Sequence, residues 1–181
     1  MKALSLTQPW AQLIAIHAKK IETRSWRTSF RGVLAIHAAK GLGPVGGKRG
    51  LRELCATEPF YSALQAHADA QSWTDLKDLV ERTLMPLGAV VAAGQLVRCE
   101  PTVGSAIWMP KRDTPEYAFG DYSPGRFMWM LDEVEPLRVP VRCGGALGLW
   151  EVPADVEAQV VEQLSADKRT RLEHEARFHL R

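Results

Sequence analysis

Cysteine is scarce in this chain: three in 181 residues, at Cys55, Cys99 and Cys143, with no CxxC pair. That excludes a disulfide framework or a zinc ribbon and fits idle thiols in a reducing compartment. The five histidines (His17, His37, His67, His174, His179) never fall at a ligand spacing such as HExxH, so no metal is expected. No apolar run reaches the roughly 18 residues that a membrane span needs. The start, MKALSLTQPW, lacks the apolar stretch of a signal peptide, so a cytoplasmic location is expected. There is no internal repeat, no GxSxG, and no Cys–His constellation with a visible orienting acid. GLGPVG (Gly41 to Gly46) matches GxGxxG, but Pro44 sits in the turn and no second strand with a terminal acid follows. GGKRG carries Arg49 where a P-loop needs Ser or Thr. Both read as flexible loop, and no cofactor is expected.

What is present is an ordinary globular composition, 46% hydrophobic and 24% charged. A chain of this size buries about 70% of its unfolded surface, enough for a core without staples. The net charge of +2 hides an asymmetry. Residues 1–60 hold ten Lys/Arg against three acids, a balance of +7, while the remainder holds thirteen against eighteen, a balance of −5. A basic segment on an otherwise acidic protein suggests a local surface for anions, though the total is too small to coat nucleic acid by charge alone.

Along the chain, a short strand over Leu4–Leu6 leads to Thr7 as a candidate N-cap with Pro9 in the first helical turn. Trp10, Leu13, Ile14 and His17 then recur at helical spacing, and His17 on that apolar face reads as a core histidine. Lys19 and Lys20 close the helix where its dipole favours cations. ETRSW alternates, which places Glu22, Arg24 and Trp26 on one face of a strand. A second strand is expected over 33–38, a glycine-rich loop over 41–50, and helix over about 51–84 with Leu76, Leu79, Val80 and Thr83 on one face. Further strands are expected at 88–98, 126–132, 136–142 and 146–152, a long polar and aromatic loop at 100–125, and a charged helical tail over 153–181. The expected fold class is α+β: a small, closed or nearly closed β-barrel of five or six strands with peripheral helices, spanning 1–152 with a helical insertion at about 43–87, followed by the tail.

Two clusters carry chemistry. In HAKKIETRSW, Lys19, Glu22, Arg24 and Trp26 bring together a cation, a carboxylate, a guanidinium and an indole. A lysine beside a carboxylate is acid/base equipment, an arginine holds phosphate or carbonyl oxygen, and a tryptophan stacks on a base. The same spacing also suits a salt-bridged surface strand with a packed tryptophan. In EYAFGDYSPGRFMW, Tyr117, Phe119 and Tyr122 interleave with glycines ahead of Arg126, as a stacking platform for single-stranded nucleic acid would and as a packed lid would too. His37, ending its strand, could face a cavity.

In this order the two clusters resemble the ASCH domain, the module of the activating signal cointegrator and of many small prokaryotic proteins, in the wider PUA-like β-barrel group. The matching runs are ALSLTQPWAQLI, HAKKIETRSW and RGVLAIHA, then FGDYSPGRFMWML and PVRCGGALGLWEV ending in Trp150, together covering roughly residues 3–40 and 88–152. The family pattern GxKxxExR falls on residues 17–24, with its lysine at Lys19, glutamate at Glu22 and arginine at Arg24; its leading glycine is His17 here. The resemblance implies a barrel with a cleft beside the first helix and an association with RNA or nucleotide metabolism. Some small ASCH proteins are amidohydrolases that deacylate cytidine with a lysine, a threonine and a glutamate. Lys19 matches that lysine, but Glu22 stands where the threonine would be.

The expected function is therefore a module that binds RNA, single-stranded DNA or a nucleotide. Its binding residues would be Trp10, Arg24, Trp26, Arg31, His37, Tyr122 and Arg126. The alternative is a hydrolase of a modified nucleoside or of RNA that uses Lys19 and Glu22.

Overall fold

The structure, a computed structural model, describes residues 1–70 and 87–179. Six strands run in chain order: β1 (Lys2–Leu6), β2 (Ile21–Arg24), β3 (Gly32–Ala38), β4 (Ala89–Pro101), β5 (Phe127–Arg142) and β6 (Leu149–Glu151). The helices are α1 (Trp10–Ala15), α2 (Gly47–Cys55), α3 (Phe60–Ala70), α4 (Pro115–Ala118), α5 (Ala154–Gln163) and α6 (Ala166–His179). The strands make one sheet in the order β2-β5-β4-β3-β1-β6, with β1 and β3 parallel and all other pairs antiparallel. It curls into a half-barrel with helices at its periphery, an α+β fold of the PUA-like type. β2 and β6 are its two ends, so the hydrogen-bonded sheet is open rather than closed.

The helices cover both faces. Ala11, Ile14 and Ala15 of α1 pack with Leu34, Ile36, Leu96 and the fully buried Trp129. On the opposite face Val156 and Val160 of α5 meet Val33, Ala35, Val90 and Ala93. Leu13, from the far side of α1, joins Leu51, Cys55, Phe60, Leu64 and Phe119 in a third cluster. Because β3 is buried on both faces, its seven residues are all buried and its sequence does not alternate.

Several local expectations change. Thr7 does not cap α1; Gln8 Oε1 instead accepts the Gln12 N–H at 3.1 Å. α1 ends at Ala15, so Lys19 and Lys20 lie beyond it. His17 is exposed rather than in the core, with φ +64° in the turn that leaves the helix. That turn is closed by Lys19 N–H donating to Leu13 O at 3.0 Å, which reverses the chain beneath α1. The 41–50 segment is not loop throughout: a 3-10 turn at Gly43–Val45 leads into α2, and a Cβ at Gly50 would stand 1.6 Å from Val45 O. The two strands expected at 126–132 and 136–142 are one, β5, bent at Glu133 (φ +46°). Pro136 and Pro140 are tolerated because β2 pairs only with Phe127–Met130, leaving the later outer edge of β5 without a ladder to break. The stretch expected as strand at 146–152 pairs only over Leu149–Glu151. Leu76, Leu79, Val80 and Thr83 lie outside the described residues.

Candidate functional site

β2 is an edge strand only four residues long, and side chains satisfy its outer backbone. The Glu116 carboxylate of α4 accepts the N–H groups of Lys20 (2.7 Å) and Ile21 (3.1 Å). Arg126 Nη2 donates to Thr23 O at 3.0 Å, and Thr23 Oγ1 accepts the Asp121 N–H at 3.0 Å. These bonds pull the 116–126 segment over β2. An open cleft of about 660 Å³ lies between that segment, the end of β1 and the first residue of α1.

Four charged side chains line the cleft as two pairs. Arg24 Nε stands 3.3 Å from Glu22 Oε1, and Arg126 Nε stands 3.3 Å from Asp121 Oδ2. Both guanidiniums are anchored by backbone: Arg24 Nη2 donates to Ser5 O at 2.8 Å, as Arg126 Nη2 does to Thr23 O. Neither Nε is aligned for a hydrogen bond, so both pairs are charge contacts, and both Nε–H groups are buried without a hydrogen-bond partner among the described residues. Hydrogen bonds from the Ser123 hydroxyl and backbone N–H hold Asp121 below the usual carboxylate range. Trp10 adds an aromatic wall, braced edge-on by Phe60 at 6.3 Å.

Lys19 lies behind this floor, 1% exposed. Its Nζ donates to Ile21 O and, at 2.9 Å, to Phe119 O, and it lies 3.7 Å from Glu22 Oε2. Burial lowers its pKa, while the Glu22 and Glu116 carboxylates work against that shift. The ammonium therefore fastens Glu22 in place from below, while the carboxylate is reached from the cleft.

The other predicted residues lie elsewhere. β2 ends at Arg24, so Trp26 leaves the strand face and meets Trp129 edge-on at 4.5 Å, its carbonyl accepting the Trp129 indole N–H. Arg31 is exposed, its guanidinium donating to the carbonyls of Thr28 and Phe30. Tyr122 is buried and stacked on Tyr117 at 5.1 Å; burial and the Glu116 carboxylate push its phenol upward. His37 is buried between Ser5 Oγ (3.1 Å from Nδ1) and Cys143 O (3.2 Å from Nε2), and burial pulls its pKa down. With Nε2–H donating to the carbonyl, Nδ1 accepts from Ser5, whose oxygen in turn accepts the Trp150 indole N–H at 3.1 Å. A Cβ at Gly145 would stand 2.4 Å from this ring. His37 thus pins the 143–148 loop behind the cleft rather than lining it.

Sequence reasoning missed Ser5, Thr23, Asp121 and Glu116. Only Asp121 carried a usable signal, an acid five residues ahead of Arg126 in a glycine-rich turn. Among the described residues no group of His, Cys, Asp and Glu is arranged to hold a metal ion, and no helix is long and apolar enough to cross a membrane.

No family model matches the chain, and no curated protein matches it. Solved structures of an ASCH protein from Zymomonas mobilis are similar to it: one at 11% identity, covering 91% of this chain and 95% of the other, with a TM-score of 0.46. Two single-residue variants of that protein match at 13% identity, covering 91% of this chain and 98% and 96% of theirs, with TM-scores of 0.46 and 0.45. A likeness at that level carries no residue-by-residue correspondence.

Proposed function

We propose that the protein binds a nucleobase-bearing ligand, either a nucleotide or an exposed base of single-stranded RNA or DNA, in the cleft beside α1. The carrying observation is that Arg24, Glu22, Arg126, Asp121 and Trp10 surround one open space of about 660 Å³. That volume is within the range of small-molecule sites. The set combines a stacking wall with fixed donors and acceptors, which is what recognition of a flat heteroaromatic edge requires. The commitment of Lys19 Nζ to two backbone carbonyls supports binding over lysine-based catalysis, because a nucleophilic amine needs a free lone pair aimed at substrate.

One observation favours the hydrolase reading. Burial shifts Lys19 toward its neutral form, and Glu22 is 3.7 Å away to exchange a proton with it. A single session tests both. Labelled single-stranded RNA and free nucleotides are titrated into the native protein at low salt, with acetylated cytidine incubated in parallel. Binding that weakens about tenfold or more in Arg24→Ala and Arg126→Ala, with no acetate released, is the expected result. Absence of any binding sinks the module reading. Acetate release or RNA cleavage abolished by Lys19→Ala replaces it with the hydrolase.

A further inference from the structure

We infer that the cleft selects guanine, and that Arg24 and Glu22 read it; the inference rests on the base-binding reading above and names the base. The order of hydrogen-bonding groups along the cleft floor decides it. Arg24 spends Nη2 on Ser5 O, and its Nη1 is engaged by none of the described residues, so Nη1 is the arginine's uncommitted amino group at a residue that lines the cleft. Beside it the Glu22 carboxylate brings two acceptor oxygens. Oε1 has Arg24 Nε at 3.3 Å and Oε2 has Lys19 Nζ at 3.7 Å, while a carboxylate has about four lone-pair positions in all, so each oxygen keeps acceptor capacity in a residue that lines the cleft.

The floor therefore reads donor, acceptor, acceptor, the same order as the pairing edge of cytosine. Its complement is acceptor, donor, donor. Guanine presents that series as O6, N1–H and the 2-amino group. Uracil presents acceptor, donor, acceptor, which sets a carbonyl against one carboxylate oxygen. Cytosine presents donor, acceptor, acceptor, and would oppose like groups along the whole edge. Adenine offers an amine next to a bare ring nitrogen, which faces a carboxylate oxygen. Only guanine meets all three positions without setting an acceptor against an acceptor, an arrangement that loses affinity because neither group gains a hydrogen bond. The floor is also preorganised. Lys19 fixes the carboxylate from behind and Ser5 O fixes the guanidinium, so little rotamer freedom remains to be lost on binding.

The test titrates the native protein with GMP, IMP, AMP, CMP and UMP by calorimetry in one buffer. GMP is expected to bind tightest. IMP keeps O6 and N1–H but lacks the 2-amino group, and should bind about tenfold more weakly, with AMP, CMP and UMP at least as weak. Equal affinities for all five, or a preference for another base, overturn guanine selection while leaving base binding in place. Failure of every nucleotide to bind overturns the base-binding reading itself. IMP binding as tightly as GMP overturns the two-oxygen pairing to Glu22. Arg24→Lys replaces the planar fork by a mobile point charge and should bring the GMP-to-AMP affinity ratio toward one. An unchanged ratio in both Arg24→Lys and Glu22→Gln overturns the assignment to these residues.

Discussion

Among the described residues two lysines are buried, and they are built alike. Lys19 and Lys168 are 1% and 2% exposed, and each sends its ammonium to a backbone carbonyl and stands near a carboxylate. Lys168 donates to Glu133 O at the bend of β5 and lies 3.6 Å from Glu135 Oε1, clamping α6 onto the sheet. The difference lies in the carboxylates. Glu135 accepts both the backbone N–H (2.8 Å) and the hydroxyl (2.7 Å) of Ser165, so each of its oxygens already holds a hydrogen bond that starts a helix. Glu22 accepts no hydrogen bond from any of the described backbone groups and faces a cleft that also holds Arg24, Arg126 and Trp10. A buried lysine is therefore no mark of a site by itself. The mark is a partner carboxylate with no hydrogen bond from the described backbone, lining a cleft that also holds two arginines and an aromatic wall.

The largest effect follows from cutting each lysine. Lys19→Ala leaves the mostly buried Glu22 with Arg24 as its one remaining cation among the described residues and removes the donors to Ile21 O and Phe119 O; breaking a buried pair from one side costs about 3–5 kcal/mol. Lys168→Ala should cost less, about 1–2 kcal/mol, because Ser165 still satisfies Glu135. Urea unfolding gives both numbers, and nucleotide affinity measured on the folded variants separates the two regions. Lys19→Ala should weaken binding and Lys168→Ala should leave it unchanged. Equal affinity losses in the two would erase the distinction drawn above.

Part of the charged site was legible in sequence and the rest was not, for reasons that individual residues show. Lys19, Glu22 and Arg24 lie within one short motif, so local spacing alone brings them together. The period-two reading also carried Trp26 onto that face, but the strand stops at Arg24 once β5 has no further residues to pair, and the indole turns to Trp129. Ser5 and Asp121 reach the cleft only through pairings 19 and 98 residues long, Arg24 to Ser5 O and Asp121 N–H to Thr23, which no local pattern encodes. Tyr122 had the composition of a stacking residue, yet Tyr117 already occupies its face. The fold class was readable from strand and helix periods. The continuity of β5 was not, because prolines that would break a central strand are harmless on an edge.

The tryptophans sharpen the comparison at a smaller scale. Trp10 lines the cleft, whereas Trp26 packs against the main core. Trp10→Ala should lose a stacking contact worth about 1–3 kcal/mol in ligand affinity. Trp26→Ala should leave affinity intact and lower the unfolding midpoint instead, since it opens space beside Trp129. A loss of affinity in Trp26→Ala with stability retained would return that residue to the binding surface.

The smallest expected effect concerns His17, in the turn that leaves α1. Its φ of +64° is left-handed backbone, which costs an L-residue roughly 1–2 kcal/mol and glycine almost nothing. His17→Gly relieves that strain but also frees the unfolded chain, which takes back about 0.4–1 kcal/mol. The two terms oppose, and the first is the larger, so the variant should be more stable by up to about 1 kcal/mol. His17 is exposed and contributes no wall to the cleft, so affinity should not move. Denaturant midpoints and a GMP titration on the same samples check both halves. Unchanged stability would mean that the unfolded-chain entropy offsets the strain in full. Changed affinity would mean that the turn from Ile16 to Lys19 sets the position of Glu22, and that the wider side chain is part of how this chain shapes its cleft.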